Sequence, residues 1–500
     1  MSSKMSSEED SSQEPKTLTP GVNIPPEDTT QNHPHYHAMA NAVNDRRHSM
    51  SNKIHKGFSF FSRRFATQRK KIAARFALNY LIMSVGILGI FSIYWGSFYK
   101  IDGRVKNMNN LVVIEDVDTI DGIPPLFGTT LNEVVSSPEG RYRGNWHIYN
   151  ITAFREMAES NNLTVFDQIA KLIHDEKYWT SLYIPPNATY NYYTAITEGN
   201  GDFNLSGNGV ISIYESARHS FGMSIWGLPS LQAVEGLWLS AQSKMVGGIF
   251  GNTTLTSQTQ IELLGTPLQF RRLDNVQYNL AIYVGPFHDG IIYLTILSIM
   301  NLDFFGPLNM AVARSGIKRS HFLIFRYLSS VISFFIMSLC ACLVTLAFQV
   351  PFTNSYGRGG FMVYWMITFL DMWALGAINE LVGMFILTIY PPLLQFWVLF
   401  IIIANITPTF TPIGLLPKFF RYGYAMPSHN YYEAIKTIFF RTTRRQLGRN
   451  IGILVAWFST LSIAFPCMTI YYLNAMDKKE KKQVCKVIDE EKKGPEECEP

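Results

Sequence analysis

Four long stretches of this chain carry no charged side chain, and this feature limits the fold more than any other. Residues 76–99, 327–357, 381–417 and 450–476 contain no Asp, Glu, Lys or Arg. A helix of about 20 apolar residues is long enough to cross the hydrocarbon core of a bilayer. Only 16% of the residues are charged, against about 25% in a typical soluble protein. The sequence therefore excludes a soluble enzyme and predicts an α-helical multi-pass membrane protein in a lipid bilayer.

Six spans account for the apolar stretches. We predict them at residues 76–99, 281–301, 322–348, 361–389, 393–416 and 451–472. The run 381–417 would form a helix about 55 Å long, nearly twice the bilayer thickness, so it must be divided. Pro391 and Pro392 lack backbone N–H donors and mark the division between spans four and five.

Basic residues beside the spans predict the orientation. Residues 63–75 are rich in Lys and Arg and contain no acidic residue, which indicates a cytoplasmic N terminus. Six spans return the C-terminal tail, 477–500, to the same side, where its lysines agree. The loop 417–449 is also basic but would face outward. Either the number of spans is wrong, or this extracytoplasmic loop contains interfacial helices whose charges reach lipid headgroups, which we favour.

The N-terminal residues 1–60 are rich in Ser, Pro, Glu and Gln and have few large aliphatic side chains. Such a segment cannot bury enough apolar surface to offset its chain entropy, so we predict a disordered cytoplasmic tail. Within it, Ser49 follows Arg46-Arg47-His48. This is a pattern that basophilic kinases accept, and Ser49 is a candidate phosphorylation site.

The segment between spans one and two, residues 100–280, has the length of a domain. Alternating or continuous apolar runs predict strands at 111–114 and 210–214 and a helix over 163–178. We expect a mixed α/β extracytoplasmic domain. It contains no cysteine, because the five cysteines all lie at or beyond Cys340, so disulfides cannot stabilise it.

Asn-x-Ser/Thr sequons in the same segment support an extracytoplasmic location. They are candidate N-glycosylation sites at Asn150, Asn162, Asn187, Asn204 and Asn252. The alternative is that an Asn-rich segment contains sequons by chance. The placement follows independently from the basic residues, so the two observations agree.

Motifs of catalysis and of metal or nucleotide binding are absent from the sequence. It contains no phosphate-binding G-x-x-x-x-G-K-[ST] loop, no C-x-x-C and no H-E-x-x-H. We therefore expect no enzyme activity, no metal and no cofactor. The net charge of +5 is small and scattered, which does not favour nucleic-acid binding.

Charged residues inside the predicted spans are the candidate functional residues, because an ionised group there costs roughly 2.5–3.5 kcal/mol and is usually retained for a reason. Asp289, with His288, lies in span two, and Asp371 lies at a similar depth in span four. Glu380 lies on the opposite face of span four, near its cytoplasmic end. One hypothesis is that Asp289 and Asp371 face a shared cavity for proton coupling or cation binding. The alternative, which we favour, is that they hydrogen-bond to neighbouring helices or lie near water.

Several short phrases of the chain resemble one known family. They are Ser92-Ile-Tyr-Trp-Gly-Ser97, His174-Asp-Glu-Lys-Tyr-Trp179, Asn187-Ala-Thr189, Ile213-Tyr-Glu215, Gly290-Ile-Ile-Tyr-Leu294, Tyr422-Gly-Tyr-Ala-Met-Pro-Ser-His-Asn430, Tyr432-Glu433 and Gly448-Arg-Asn-Ile-Gly-Ile-Leu454. In these phrases and their order the chain is similar to the fungal nitrosoguanidine-resistance proteins. The resemblance implies a topology similar to type-2 ABC exporter membrane domains and bacterial phage-infection proteins. It carries no established site residues.

Two functions follow as hypotheses. The first, which the resemblance implies, is an export permease for small hydrophobic toxicants such as nitrosoguanidine, acting as a homodimer and driven by a proton gradient or by a separate ATPase. The second is a non-transport scaffold, or a regulator of membrane composition, whose external domain binds a partner. We expect the plasma membrane as the location, with the endoplasmic reticulum as the alternative.

Overall fold

The computed structural model describes residues 61–203, 209–251 and 254–492. Ser49, Asn204, Asn252 and the tail 1–60 lie outside the described residues. The chain divides into two compact units, one ending at Ile82 and one starting at Met83. In the described part of the first unit, a 3₁₀ turn at Arg63–Phe65 leads into helix α1, Ala66–Phe98, whose residues from Met83 onward are assigned to the second unit. The other elements belong to the second unit.

A five-stranded mixed sheet forms the centre of the segment between α1 and the remaining apolar helices. Its strands are β1 (Asn109–Ile114), β2 (Asn145–Ile148), β3 (Thr180–Ile184), β4 (Val210–Tyr214) and β5 (Phe270–Asp274). The spatial order is β2-β1-β3-β4-β5. Of the strand pairs that the structure describes in this sheet, only β3–β4 is antiparallel. The predicted mixed α/β domain is confirmed, and β1 and β4 contain the two strands predicted from the sequence.

Helices cover both faces of the sheet. The helices that the structure describes in this domain are α2 (Leu126–Ser136), α3 (Pro138–Arg143), α4 (Ile151–Ser160), α5 (Val165–His174), α6 (Ala188–Thr197), α7 (Ser220–Gly222), α8 (Leu228–Ser240), α9 (Gln242–Phe250) and α10 (Gln258–Gly265). Along β1, Val112 packs in the core with Phe127, while Leu111 packs in the opposite core with Phe154. This burial on both faces explains why β1 is apolar along most of its length.

Helix α5 is shorter than the helix predicted over 163–178. Thr164 begins it, since its hydroxyl accepts a hydrogen bond from the Asp167 N–H at 3.1 Å. It ends at His174, and Glu176 has a positive φ of 58° that reverses the chain direction. Residues 175–179 therefore leave the helix and lead into β3.

The two ends of the central strands have different surroundings. At the carboxyl ends of β1 and β3, Asp116 accepts a 2.6 Å hydrogen bond from the Thr189 hydroxyl, so side chains of the protein itself occupy this end of the strands. Since β4 runs antiparallel to β3, Tyr214 at its end pairs with Thr180 at the start of β3. The residues before β3 and after β4 therefore meet at the other end of these strands.

Among the residues that the structure describes, six helical segments are long and apolar enough to cross a membrane: Ala66–Phe98, Ala281–Arg314, Arg319–Ala347, Thr353–Ile389, Leu393–Phe410 and Leu447–Lys482. The α-helices of this C-terminal part are α11 (Gly290–Arg314), α12 (Arg319–Ala347), α13 (Thr353–Tyr356), α14 (Gly360–Ile389), α15 (Leu393–Phe410), α16 (Pro427–Phe440) and α17 (Leu447–Lys492). Helix α16 lies between the last two of the six segments. Short 3₁₀ and π turns, Ala281–Tyr283 and Gly285–Asp289, precede α11.

Some helix bounds differ from the predicted spans. Helix α11 continues to Arg314, beyond the predicted end at 301, although Asp303 and Pro307 lie within it. Helix α15 ends at Phe410, before the predicted end at 416, and Thr411-Pro412 follows it. Helix α17 continues beyond 472, where the sequence is rich in Lys and Glu, which are good helix formers.

Helix α14 is the centre of the bundle. It packs against α11, α12, α16 and α17. In the most apolar 18-residue stretch of its span, Thr353–Ile389, 56% is buried, whereas the corresponding share in α1 is 6%. Close packing depends on Gly376, where an added Cβ would lie 2.1 Å from the Phe334 ring of α12. The short helix α16, in the predicted interfacial loop 417–449, is itself almost wholly buried.

Gly376→Ala is expected to destabilise the bundle. The buried Phe334 ring would have to move to admit the new methyl group, and overpacking of this kind costs about 1–3 kcal/mol. The matched control is Gly452→Ala in α17, where an added Cβ meets nothing within 4 Å. Thermal unfolding of both purified variants in detergent checks this. An unfolding temperature for Gly376→Ala equal to that of the control would contradict it.

Candidate functional site

A buried ion pair joins two apolar helices of the bundle. Arg326 Nη2 of α12 lies 2.6 Å from Glu380 Oε2 of α14, and the two side chains are 7% and 0% exposed. Glu380 also accepts hydrogen bonds from Asn301 Nδ2 at 2.6 Å and from the Ser330 hydroxyl at 3.0 Å. The Arg326 guanidinium lies over the Phe465 ring of α17 at 5.1 Å. Four helices therefore contribute to the surroundings of one charge pair.

Glu380 was predicted from the sequence as a candidate functional residue, whereas Arg326 was not. The residue lies inside the predicted third span, 322–348, where a basic side chain is as costly as an acidic one. Arg326 and Ser330 are four residues apart and so share a helix face. A basic residue within one span and an acidic residue within another should have indicated a pair.

A cavity of about 390 Å³ lies beside this ion pair. Helices α11, α12, α14, α15 and α17 all contribute to its wall. Most lining side chains are apolar, and the polar ones include Asp303, Asn309, Arg326 and Thr469. Mostly apolar walls with a few placed polar groups are typical of small-molecule sites. This cavity and the Arg326–Glu380 pair are the candidate functional site.

The structure gives the two carboxylates of the shared-cavity hypothesis different surroundings. Asp289 is exposed at the end of the π turn before α11. Asp371 is 0% exposed, and neither of its carboxylate oxygens has a hydrogen-bond partner among the described residues. Neither carboxylate lines the cavity beside Arg326. A shared cavity for Asp289 and Asp371 therefore stays a prediction.

His288 is buried at the end of the bundle near the sheet. Its Nε2 lies 3.1 Å from the Ser220 hydroxyl, and its ring contacts Phe221 edge-on at 4.4 Å. These contacts tie the turn before α11 to the chain that follows β4. Among the residues that the structure describes, no group of three or more His, Cys, Asp or Glu could hold a metal ion.

A second buried charge cluster joins the sheet domain to α16. The ammonium of Lys436 lies 2.5 Å from the Arg218 carbonyl, 2.9 Å from Glu433 Oε2 and 3.4 Å from Glu176 Oε1. Burial alone would raise the pKa of Glu176, but the charges of Lys436 and Arg218 hold that pKa below its ordinary value. We had expected the basic side chains of loop 417–449 to reach headgroups. Lys436 does not, because its partners lie inside the protein.

The neighbouring residues complete this junction. The Arg218 guanidinium lies over the Trp179 ring at 4.0 Å and donates to the Glu176 carbonyl at 2.8 Å. His174 Nδ1 lies 3.0 Å from Glu215 Oε1, and this hydrogen bond raises the pKa of His174. Three of the phrases that carry the family resemblance, 174–179, 213–215 and 432–433, therefore meet here, although they are far apart in sequence.

The described sequons lie on exposed turns of the sheet domain. Asn150 caps α4, since its Oδ1 accepts from the Thr152 N–H at 3.0 Å. Asn187 precedes α6, and Asn162 lies between α4 and α5. All three side chains are exposed.

Comparison with known proteins identifies the family. The family described as "Protein of unknown function (DUF3533)" matches residues 79–463. The chain belongs to this DUF3533 family. The match covers α1 from its middle, the sheet domain and most of the bundle, so it includes both buried charge clusters.

A yeast relative is described as a membrane protein. The DUF3533 chain is 30% identical over 423 residues to the uncharacterized endoplasmic reticulum membrane protein YJR015W of Saccharomyces cerevisiae, which covers 83% of each chain. No solved structure matches the chain. The family and the relative, with six helices long enough to span a bilayer, indicate an integral membrane protein. Neither description names a substrate or an activity.

Loss of one partner of the Arg326–Glu380 pair is expected to destabilise the DUF3533 protein by about 3–5 kcal/mol, because it leaves a buried charge unpaired. We expect Arg326→Met and Glu380→Gln each to lower the unfolding temperature strongly. The double variant should lose much less than the sum, since it leaves neither charge. Thermal unfolding in detergent provides the measurement.

The matched control is Arg319→Met. Arg319 pairs with Asp477 at 3.3 Å, but these side chains are 70% and 55% exposed, and such pairs contribute about 0–1 kcal/mol. Equal effects of Arg319→Met and Arg326→Met, or additive losses in the double variant, would show that the buried pair is not a coupled unit.

Proposed function

We propose that this DUF3533 protein is a membrane export permease that binds small, mostly apolar toxicants, such as nitrosoguanidine, in the cavity beside Arg326. The single observation that carries the proposal is that cavity of about 390 Å³, with walls from five apolar helices. Its size falls within the range of about 300–1,000 Å³ that is usual for small-molecule sites. A ligand there would lie between the helices whose relative movement would release it.

The polar groups of the cavity fit a neutral ligand with hydrogen-bond acceptors. Arg326 offers N–H donors to the cavity, while Glu380 already balances its charge. A neutral molecule could therefore accept a hydrogen bond from the guanidinium without leaving a buried charge uncompensated. Nitro and nitroso oxygens are acceptors of this kind, and the apolar walls would contact the rest of the molecule.

Two energy sources are compatible with this function. Asp371 is fully enclosed and has no hydrogen-bond partner among the described residues, so it is a candidate carrier of a proton. A separate ATPase is the other source. The exposed surface of α1 is available to lipid or to the second copy of a homodimer.

We further propose that the sheet domain lies outside the cytosol. The basic residues 63–75 and the exposed positions of Asn150, Asn162 and Asn187 support this orientation. For the membrane, the description of the yeast relative favours the endoplasmic reticulum over the plasma membrane that we expected from sequence.

The second candidate function is a non-transport scaffold. The observation that favours it is the charged junction around Lys436, which fixes the sheet domain to the bundle and so presents a rigid external surface. A scaffold does not require an empty cavity in the bundle, and this difference allows the two functions to be separated.

Filling the cavity is expected to abolish resistance. Gly306 lines the cavity and has open space around its Cβ position, so Gly306→Phe should occupy the ligand volume without a backbone clash. The control is Gly236→Phe on the exposed face of α8, which also has open space. In yeast cells that lack their own relative, the wild type and Gly236→Phe should raise survival on nitrosoguanidine severalfold, and Gly306→Phe should not.

Equal survival with Gly306→Phe and wild type, at equal protein levels, would contradict the permease and favour the scaffold. The same variants in purified vesicles extend the test. A labelled substrate should leave wild-type vesicles along an imposed pH gradient, or with ATP and a candidate ATPase. Absence of efflux under each of these conditions would also count against a permease.

A further inference from the structure

A second, larger opening lies between the sheet domain and the bundle. It has a volume of about 1270 Å³ and takes its lining from 170–175 and 215 of the sheet domain and from 275–283, 351–355 and 439–444. The last three stretches adjoin the starts of Ala281–Arg314, Thr353–Ile389 and Leu447–Lys482. The opening, which we call the junction cleft, therefore lies at the level where apolar spans begin and where lipid headgroups would lie.

Basic side chains from both sides line the junction cleft. Arg441 and Arg444 are exposed and follow α16, and Lys171 of α5 lies on the sheet side. The acidic groups on the wall are Asp175 and Glu215, and Glu215 is already paired with His174 at 3.0 Å. The wall near α16 is therefore cationic, with no acidic side chain between Arg441 and Arg444 in the sequence.

The Arg444 guanidinium is held in place. One of its nitrogens, Nη2, donates to the Ser355 carbonyl at 2.8 Å, and the group lies over the Tyr356 ring at 4.6 Å. A guanidinium has five N–H donors, so this bond leaves others for a ligand. Arginine presents such donors in a planar fork that matches phosphate oxygens.

Thr442 provides a further donor at the same place. It lines the junction cleft and is 3% exposed, and its hydroxyl has no hydrogen-bond partner among the described residues. Buried hydroxyl groups are normally paired, because leaving one unpaired destabilises the fold. Arg441 and Arg444 flank Thr442 in the chain. An oxygen of a ligand bound by these two arginines would give the Thr442 hydroxyl a hydrogen-bond partner.

Aromatic side chains form another part of the wall. Tyr283, Phe439 and Phe440 line the junction cleft beside the basic residues, and the Tyr283 and Phe440 rings contact each other at 4.5 Å. A free inorganic anion would gain nothing from this surface. A molecule with a phosphate at one end and an apolar body at the other would contact both parts.

We propose that the junction cleft binds the phosphate headgroup of an anionic glycerophospholipid, with Arg441, Thr442 and Arg444 donating hydrogen bonds to phosphate oxygens. The glycerol and proximal acyl carbons lie against Tyr283 and Phe440. The level of the cleft beside the span ends selects a lipid over a soluble phosphate ester. This site is separate from the cavity beside Arg326 and does not depend on the permease function.

Native mass spectrometry of the full-length protein in detergent tests the proposal, with phosphatidylinositol and phosphatidylcholine as probes. We expect the wild type to retain one phosphatidylinositol in preference to phosphatidylcholine. The double variant Arg441→Gln/Arg444→Gln should reduce this retention at least fivefold. Thr442→Val, which leaves both charges, should reduce it about threefold. Arg445→Gln is the matched control, since Arg445 is an exposed neighbour that does not line the cleft.

Size-exclusion chromatography establishes that each variant is folded, and Arg441→Lys/Arg444→Lys replaces the double variant if it is not. Equal retention by the double variant and by Arg445→Gln overturns the proposal. So does equal retention of the two lipids by the wild type. An inorganic phosphate arm separates the sources: displacement of phosphatidylinositol by millimolar phosphate would assign the site to free phosphate and overturn the lipid.

Discussion

The buried ammonium of Lys436 determines how the two halves of the second unit are joined. Taking such a group out of water costs several kcal/mol, and only close opposite charges and hydrogen bonds offset that cost. Glu433 on its own helix is one partner, while Glu176 and the Arg218 carbonyl belong to the sheet side. Helix α16 therefore cannot move away from the sheet domain without leaving an unpaired charge. The position of the junction cleft, and of the residues that line it, follows from this constraint.

The same principle operates within the bundle. Glu380 can be buried in α14 because Arg326 and Asn301 come from two other helices, and the pair in turn sets one wall of the cavity. The principle is not satisfied at every buried polar side chain. Asp371 and Thr442 are two buried polar side chains without partners among the described residues. One lies in the most enclosed helix of the bundle, and the other lies on the wall of the junction cleft.

Much of the architecture follows from local properties of the sequence. Runs without charge predict membrane-spanning helices, and the apolar segments around Leu111 and Ile211 predict two of the strands. The pairing of charges does not follow in this way. Arg326 and Glu380 are 54 residues apart, and Glu176 and Lys436 are 260 apart, so tertiary packing alone brings them together. Lys436 was included among the basic residues expected at the surface of loop 417–449. It is paired inside the protein, so part of the excess basic charge of this loop does not face lipid headgroups.

Hydrogen–deuterium exchange on wild type and Lys436→Met tests most directly whether the charged junction holds the sheet domain and the bundle together. We predict that backbone amides in residues 174–184 and in Pro427–Phe440 lose protection together in this variant, while Arg445→Gln leaves both segments unchanged. Loss of protection confined to Pro427–Phe440, or no change in either segment, would contradict the account.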